Sequence, residues 1–375
     1  MSNPWRSRTC RSLSFLGLAA LCGLAWSAVQ FAAPFAADAQ QAKAKGVWTS
    51  TEDPTLPGDY QVQGEYTGQT ESGQKLAAQV IALGSGHFQA VLYPGGLPGA
   101  GWDGENRILL AGEGDASKAT FEPAEGPRRY LAGPPEQFSA TSQFPPQGHA
   151  PYSATIAGGK MTGTTADGNS FTLKKMVRKS PTLGAAPAEG ALVLFDGTDA
   201  EAWRGGRLDP ETGTLHTDGK DILTKQEFNN YTVHVEFLLP FRPQARGQGR
   251  GNSGFYQVDH YEVQILDSFG LEGKNNECGG LYSKAAPSVN MCLPPLTWQT
   301  YDIDFQNAIV DEEGQVKKNA VITVRLNGVV IHDKLEIDGK TGGSRPGPVG
   351  TPGPLKLQGH GNPLQFRNIW IVEQK

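Results

Sequence analysis

Tyr261-Glu262-Val263-Gln264-Ile265 alternates apolar and polar side chains with a period of two, which leaves one backbone geometry open: an extended strand with a buried face and a working face. Tyr261, Val263 and Ile265 take the buried side, and His260, Glu262 and Gln264 take the other. The glycine-rich approach Gly249-Arg250-Gly251-Asn252-Ser253-Gly254 precedes this strand. Asp267 falls out of phase, and a β-bulge near Leu266 is expected to turn it onto the Glu262 face. Two carboxylates and a glutamine on one strand face suit the recognition of sugar hydroxyls.

The same period runs through the carboxy-terminal half at residues 231–239, 355–358 and 364–372. Residues 320–326, then Asn327-Gly328, then 329–332 form a hairpin signal, because Asn-Gly accepts the positive φ angles of a type I′ turn. Residues 191–375 are therefore expected to be all-β, a jelly-roll sandwich of two sheets. Upstream, short strand-like segments between residues 60 and 176 predict a small separate all-β domain over 58–178, after a flexible segment at 40–57. The Pro/Ala/Gly-rich run at 179–190 reads as a linker. Tyr93 to Gly104 reads as a turn-rich connection whose Trp102 packs on a sheet edge. No fixed-period repeat is present, which excludes solenoids and propellers.

Arg6, Arg8 and Arg11 precede an apolar run at 13–29, and Ala37-Asp38-Ala39 offers small residues at a cleavage position. Residues 1–39 thus read as a secretory signal, and the expected location is periplasmic or secreted, with no integral membrane segment in the mature chain. Cleavage would remove three arginines and one aspartate from a chain of net charge −5, leaving it more acidic. That argues against nucleic acid as a partner, which needs clustered Lys and Arg. Cys278 and Cys292 would survive cleavage, and in an exported chain a lone pair is most simply a disulfide. Nothing in the pattern fixes an oligomeric state.

The acid, the polar group two residues on and the second acid five on resemble, in part, the E-x-D-x-x-E strand of laminarinase-like retaining glycosidases, with Gln264 and Asp267 replacing the last two acids. A broader resemblance covers residues 191–375. Leu194-Phe195-Asp196-Gly197, Gly249 to Gly254, Tyr261 to Asp267, Gly280-Leu281-Tyr282, Trp298 to Asp302 and Leu357 to Ile371 resemble, in order and spacing, the 3-keto-disaccharide hydrolase domain family. The resemblance implies a concanavalin-like sandwich acting on glycosides oxidised at C3.

Such a substrate has an acidic proton at C2, so a base can remove it and the C1 aglycone can leave by β-elimination, with water added afterwards. Glu262 is the expected base, with His360, between two glycines, as the next candidate and Asp267 as the third. Arg367 is expected to hold the enolate or offer a hydrogen-bond fork, and Gln264, Gln358, Asn252 and Tyr256 to contact the sugar. Glu262, Asp267 and His360 could together hold a divalent metal, which is kept open. Two other function classes stand beside this one: a two-carboxylate glycosidase using Glu262 and Asp267, and a carbohydrate-binding module without catalysis.

Overall fold

The computed structural model describes residues 46–374; the secretory segment expected at 1–39 lies outside the described residues. Almost every element is a strand. The strands before residue 180 close into a barrel: β1 (Gly64–Thr70), β2 (Lys75–Gly84), β3 (His87–Pro94), β4 (Ile108–Gly114), β5 (Ala119–Pro123), β8 (Ser153–Ala157), β9 (Lys160–Thr164) and β10 (Ser170–Met176). A parallel pair, β6 (Arg129–Tyr130) and β7 (Phe138–Ser139), sits on the loop between β5 and β8. The interior is filled by Tyr66, Phe88, Leu92, Leu110, Phe121, Ile156, Phe171 and Leu173. Two ring positions depend on glycine across the ladder. A Cβ on Gly112 would lie 2.3 Å from the Phe121 ring, and one on Gly163 2.5 Å from the Phe171 ring.

Beyond residue 190 two antiparallel sheets stack. One carries β13 (Arg207–Asp209), β14 (Thr214–His216), β25 (Gln365–Glu373), β16 (Tyr231–Leu238), β19 (Trp298–Gln306), β22 (Ala320–Leu326) and β23 (Val329–Ile337) in that order, with β11 (Leu192–Phe195) paired to β25. The other runs β12 (Trp203–Arg204), β15 (Ile222–Thr224), β24 (Lys356–Leu357), β17 (Asn252–Gln257) and β18 (Tyr261–Leu266). Minor strands β20 (Ile309–Val310) and β21 (Val316–Lys318) form a separate pair. Val233, Val235, Phe237, Ile303 and Phe305 from the large sheet meet Phe255, Val263, Ile265 and Leu357 from the small one in a single core. The fold is the expected all-β sandwich preceded by β structure. Asn327 and Gly328 have φ of 52° and 79°, the conformation their hairpin signal predicts.

Several expectations are corrected. Residues 60–66 begin as a helical turn, Asp59–Val62, before β1 starts, and β4 has no counterpart in the sequence reading. Residues 46–57 are not a loose lead-in, since Trp48 exchanges backbone hydrogen bonds with Phe241 at 3.0 and 2.8 Å. The linker is docked rather than free: Thr182 Oγ1 donates to Asp302 Oδ2 (2.7 Å), and the Gly184 N–H donates to Glu236 Oε1 (2.5 Å). Barrel residues Ile81, Leu83, Val91, Tyr93 and Leu109 belong to the same apolar cluster as the sandwich core. His234, His260 and His332 are all buried. The structure holds Cys278 and Cys292 as buried free thiols, not as the expected disulfide. In the dry core the two thiols lie against each other, with Cys278 also 3.4 Å from the Tyr301 hydroxyl and Cys292 3.5 Å from the Leu266 carbonyl. No helix among the described residues is long and apolar enough to cross a membrane.

Candidate active site

The outward face of the small sheet gathers the chemistry. Strands β17 and β18 pair in an unbroken register that sets Tyr256 opposite Glu262 and Gly254 opposite Gln264. Strand β24 adds Lys356 beside Tyr256. Alternation then places Tyr256, Glu262 and Lys356 in one row across three strands, with Phe255, Val263 and Leu357 behind them in the core. Gly254 is the residue that admits the carboxyl: a Cβ there would stand 2.2 Å from Glu262 Oε1.

Glu262 is buried, and burial pushes its carboxyl up to about 7; the Tyr256 hydrogen bond and the Lys356 charge pull it back, while Asp221 pushes it further up. Tyr256 Oη lies 2.8 Å from Glu262 Oε2 and 3.0 Å from the Gly342 carbonyl. A phenol has one hydrogen, so it serves the ionised carboxylate in one state. When Glu262 is protonated the pair can reverse, Glu262 donating to Oη while Tyr256 turns to Gly342. Burial and the neighbouring Glu262 raise the Tyr256 phenol, so it stays a donor. Lys356 Nζ lies 3.8 Å from the centre of the Tyr256 ring, 2.6 Å from Asp259 Oδ1 and 2.7 Å from the Gly343 carbonyl, to which it donates. The Glu262 N–H donates to Thr341 Oγ1 at 2.9 Å, so the glycine-rich segment around Thr341 to Gly343 touches every member of the row.

The hairpin between β17 and β18 supplies Asp259 at a conformational cost. Val258 and Asp259 have φ of 45° and 54°, and a β-branched residue rarely takes such an angle. Val258 is fully buried, and that burial offsets the strain.

Of the residues expected from sequence, Glu262, Gln264, Asn252, Tyr256 and Gln358 come together. Gln358 Nε2 approaches Tyr256 Oη at 3.4 Å, and Gln264 Nε2 donates to Gln248 Oε1 at 3.2 Å. Three do not join them. No bulge interrupts β18, and Asp267, just past its end, forms a buried ion pair with Arg250 at 3.1 Å, burial raising its carboxyl. His360 is exposed in the loop after β24, where its carbonyl accepts from Asn362. Arg367 belongs to β25 in the other sheet and donates to Glu236 at 2.7 Å while lying over the Trp298 ring. The metal set Glu262, Asp267 and His360 therefore does not assemble, and no group of three or more His, Cys, Asp or Glu among the described residues is arranged to hold a metal. Lys356 was missed although its parity between Leu355 and Leu357 marks the polar face; Gln248, Asp221 and Asp259 come from loops, where periodicity is silent.

Residues 190–372 match the model of the 3-keto-alpha-glucoside-1,2-lyase-like domain. A crystal structure from Parabacteroides distasonis, of a protein provisionally named a glycosyl hydrolase, is similar at 33% identity over 49% of this chain and 84% of that chain, with a TM-score of 0.44. A second from the same organism, also provisionally named a glycosyl hydrolase, is 20% identical over 50% of this chain and 95% of its own, with a TM-score of 0.38. No curated protein matches the chain.

Proposed function

With its carboxy-terminal domain belonging to the 3-keto-disaccharide hydrolase family, this chain, we propose, cleaves glycosides oxidised at C3, with Glu262 as the base. The observation that carries the reading is a buried carboxyl at about 7, on a rigid strand, with a phenol able to follow its protonation state. A base with that pKa is half ionised near neutrality, where proton transfer is most effective.

In the proposed sequence Glu262 takes the C2 proton, and the electron pair of that bond delocalises onto the C3 oxygen as an enolate. The enolate then re-forms the ketone as the C1–C2 double bond forms, and the C1–O bond breaks. Its electron pair leaves with the aglycone, which takes up a proton. Water adding at C1 and a proton returning to C2 complete net hydrolysis. Lys356 and Tyr256 stand beside the carboxyl as the cation and donor that can meet negative charge on the sugar.

The two-carboxylate alternative loses its second member, because Asp267 is committed to Arg250. Export remains part of the proposal and rests on the basic and apolar pattern of residues 1–39. A turnover assay compares a disaccharide with its 3-keto form, with and without a chelator. Consumption of the keto form alone supports the reading; equal cleavage of both, or of neither, overturns it. Loss of turnover with the chelator would bring a metal into the scheme.

A further inference from the structure

We infer that the amino-terminal barrel is part of the sugar site, because it holds Gln248 as the pivot of an uncharged hydroxyl-binding cluster with Asn252 and Gln264. The inference rests on the carbohydrate reading above and adds a subsite and a role for the barrel.

Asn252 Nδ2 donates to the Gln248 carbonyl at 3.0 Å and to Gln248 Oε1 at 2.9 Å. Both partners are acceptors, which fixes the amide's orientation and leaves Oδ1 at its other end. That oxygen is buried and accepts no hydrogen bond among the described residues. A buried acceptor without a donor is unfavourable, and a ligand hydroxyl is the donor this cluster of neutral amides would take. Gln264 lies on the Glu262 strand, two residues away, and its Nε2 meets the same Gln248 oxygen. Gln248 Nε2 in turn donates to the Asn276 carbonyl at 2.7 Å. Every polar atom of the Gln248 side chain is thereby committed, so its position decides where Asn252 Oδ1 points.

The barrel fixes that position from both sides. Arg246 donates to the Leu83 carbonyl at 2.9 Å and Arg250 to the Ala82 carbonyl at 2.7 Å, both on β2. Tyr130 of β6 donates to Glu277, whose other oxygen accepts the Gly273 and Lys274 N–H groups at 3.0 Å each, holding the turn that presents Asn276. Leu131 packs on Gly247, 3.1 Å from where a Cβ would be. Arg250 is also paired to Asp267, so it offers no free charge to an anion. The cluster fits a neutral polyol.

Tyr130→Phe removes the barrel's hydroxyl from Glu277, and Gln248→Ala removes the pivot without touching the barrel. Both are measured by calorimetric titration with a 3-keto disaccharide and its parent, and by steady-state kinetics. Losing one hydrogen bond's worth of positioning predicts about a tenfold rise in Kd and KM for Tyr130→Phe, with kcat and the pH dependence unchanged. Gln248→Ala should lose more. If the wild-type protein binds no sugar, the functional reading and this inference both fall. If it binds, and Tyr130→Phe binds equally well or loses kcat in step with thermal stability, the inference alone is overturned.

Discussion

Glu262 is built for two protonation states, and both leave a measurable trace. A carboxyl raised to about 7 is mostly protonated below that pH, so kcat/KM should climb through pH 7 and level off above it. Glu262→Gln should abolish that limb and lower turnover about 100-fold or more while sugar binding persists. The same shift bears on stability with the opposite sense. The folded value lies above the unfolded 4.5, so the buried carboxyl favours folding while protonated, and that contribution is lost as pH rises from about 4.5 through 7. Glu262→Gln should therefore melt higher than the wild-type protein at pH 8 and gain little at pH 4, as read by calorimetry at the two pH values. Gly254→Ala drives a methyl into the carboxyl and should cost up to about 100-fold in kcat from misplacement alone, with circular dichroism unchanged. Glu262, Gln264 and Tyr256 were readable because strand parity is a local property. Arg367 and Asp267 were misread because parity does not say which sheet a strand joins, or whether a strand ends before its next polar residue.

The docked linker is a clamp made of charge. His234 Nδ1 sits 2.6 Å from Asp302 Oδ1 and stacks on Trp370, while Glu236 receives the Gly184 N–H, Asn368 and Arg367. Burial works to raise Glu236, but His234 together with these donors outweighs it and holds the carboxyl down to about 2. A depressed carboxyl stabilises above its unfolded value, and that contribution is lost as pH falls from about 4.5 toward 2. His234 is held above its ordinary value by Asp302 and Glu236 although its burial opposes this, so its contribution fades toward alkaline pH. Limited proteolysis should find residues 180–186 protected near neutrality and cut faster below pH 4; an unchanged cleavage rate at pH 3 would contradict the clamp. The sequence identified this segment as a connection from its Pro, Ala and Gly content, yet its docking depends on side chains 52 and 120 residues away. Hairpins, by contrast, were legible where turn chemistry is specific: Asn327-Gly328 announced itself, while Val258-Asp259 did not, since valine is the wrong residue for its angle.

Barrel and sandwich share apolar surface, and that sets how the chain unfolds. Ile81 is buried on β2 and packs on the Gly270 segment of the sandwich, where a Cβ would stand 2.6 Å from its side chain. Ile81→Ala should cost about 2–5 kcal/mol and shift a single denaturant transition affecting barrel and sandwich together. Two separate transitions would show that the shared cluster does not couple them. The barrel strands end before residues 179–190 and the two stacked sheets begin after them. What composition cannot report is that the outer wall of one part completes the core of the other. Anyone dissecting the chain would be drawn to cut at that seam, where the family match begins. The severed carboxy-terminal piece would bare the wall that Ile81, Leu83 and Val91 now cover, shed its clamp on the large sheet, and leave Arg246 and Arg250 without their carbonyls. Such a fragment should come out of expression sticky and poorly behaved, a handling hazard created by scissors placed where the alignment, rather than the packing, suggests.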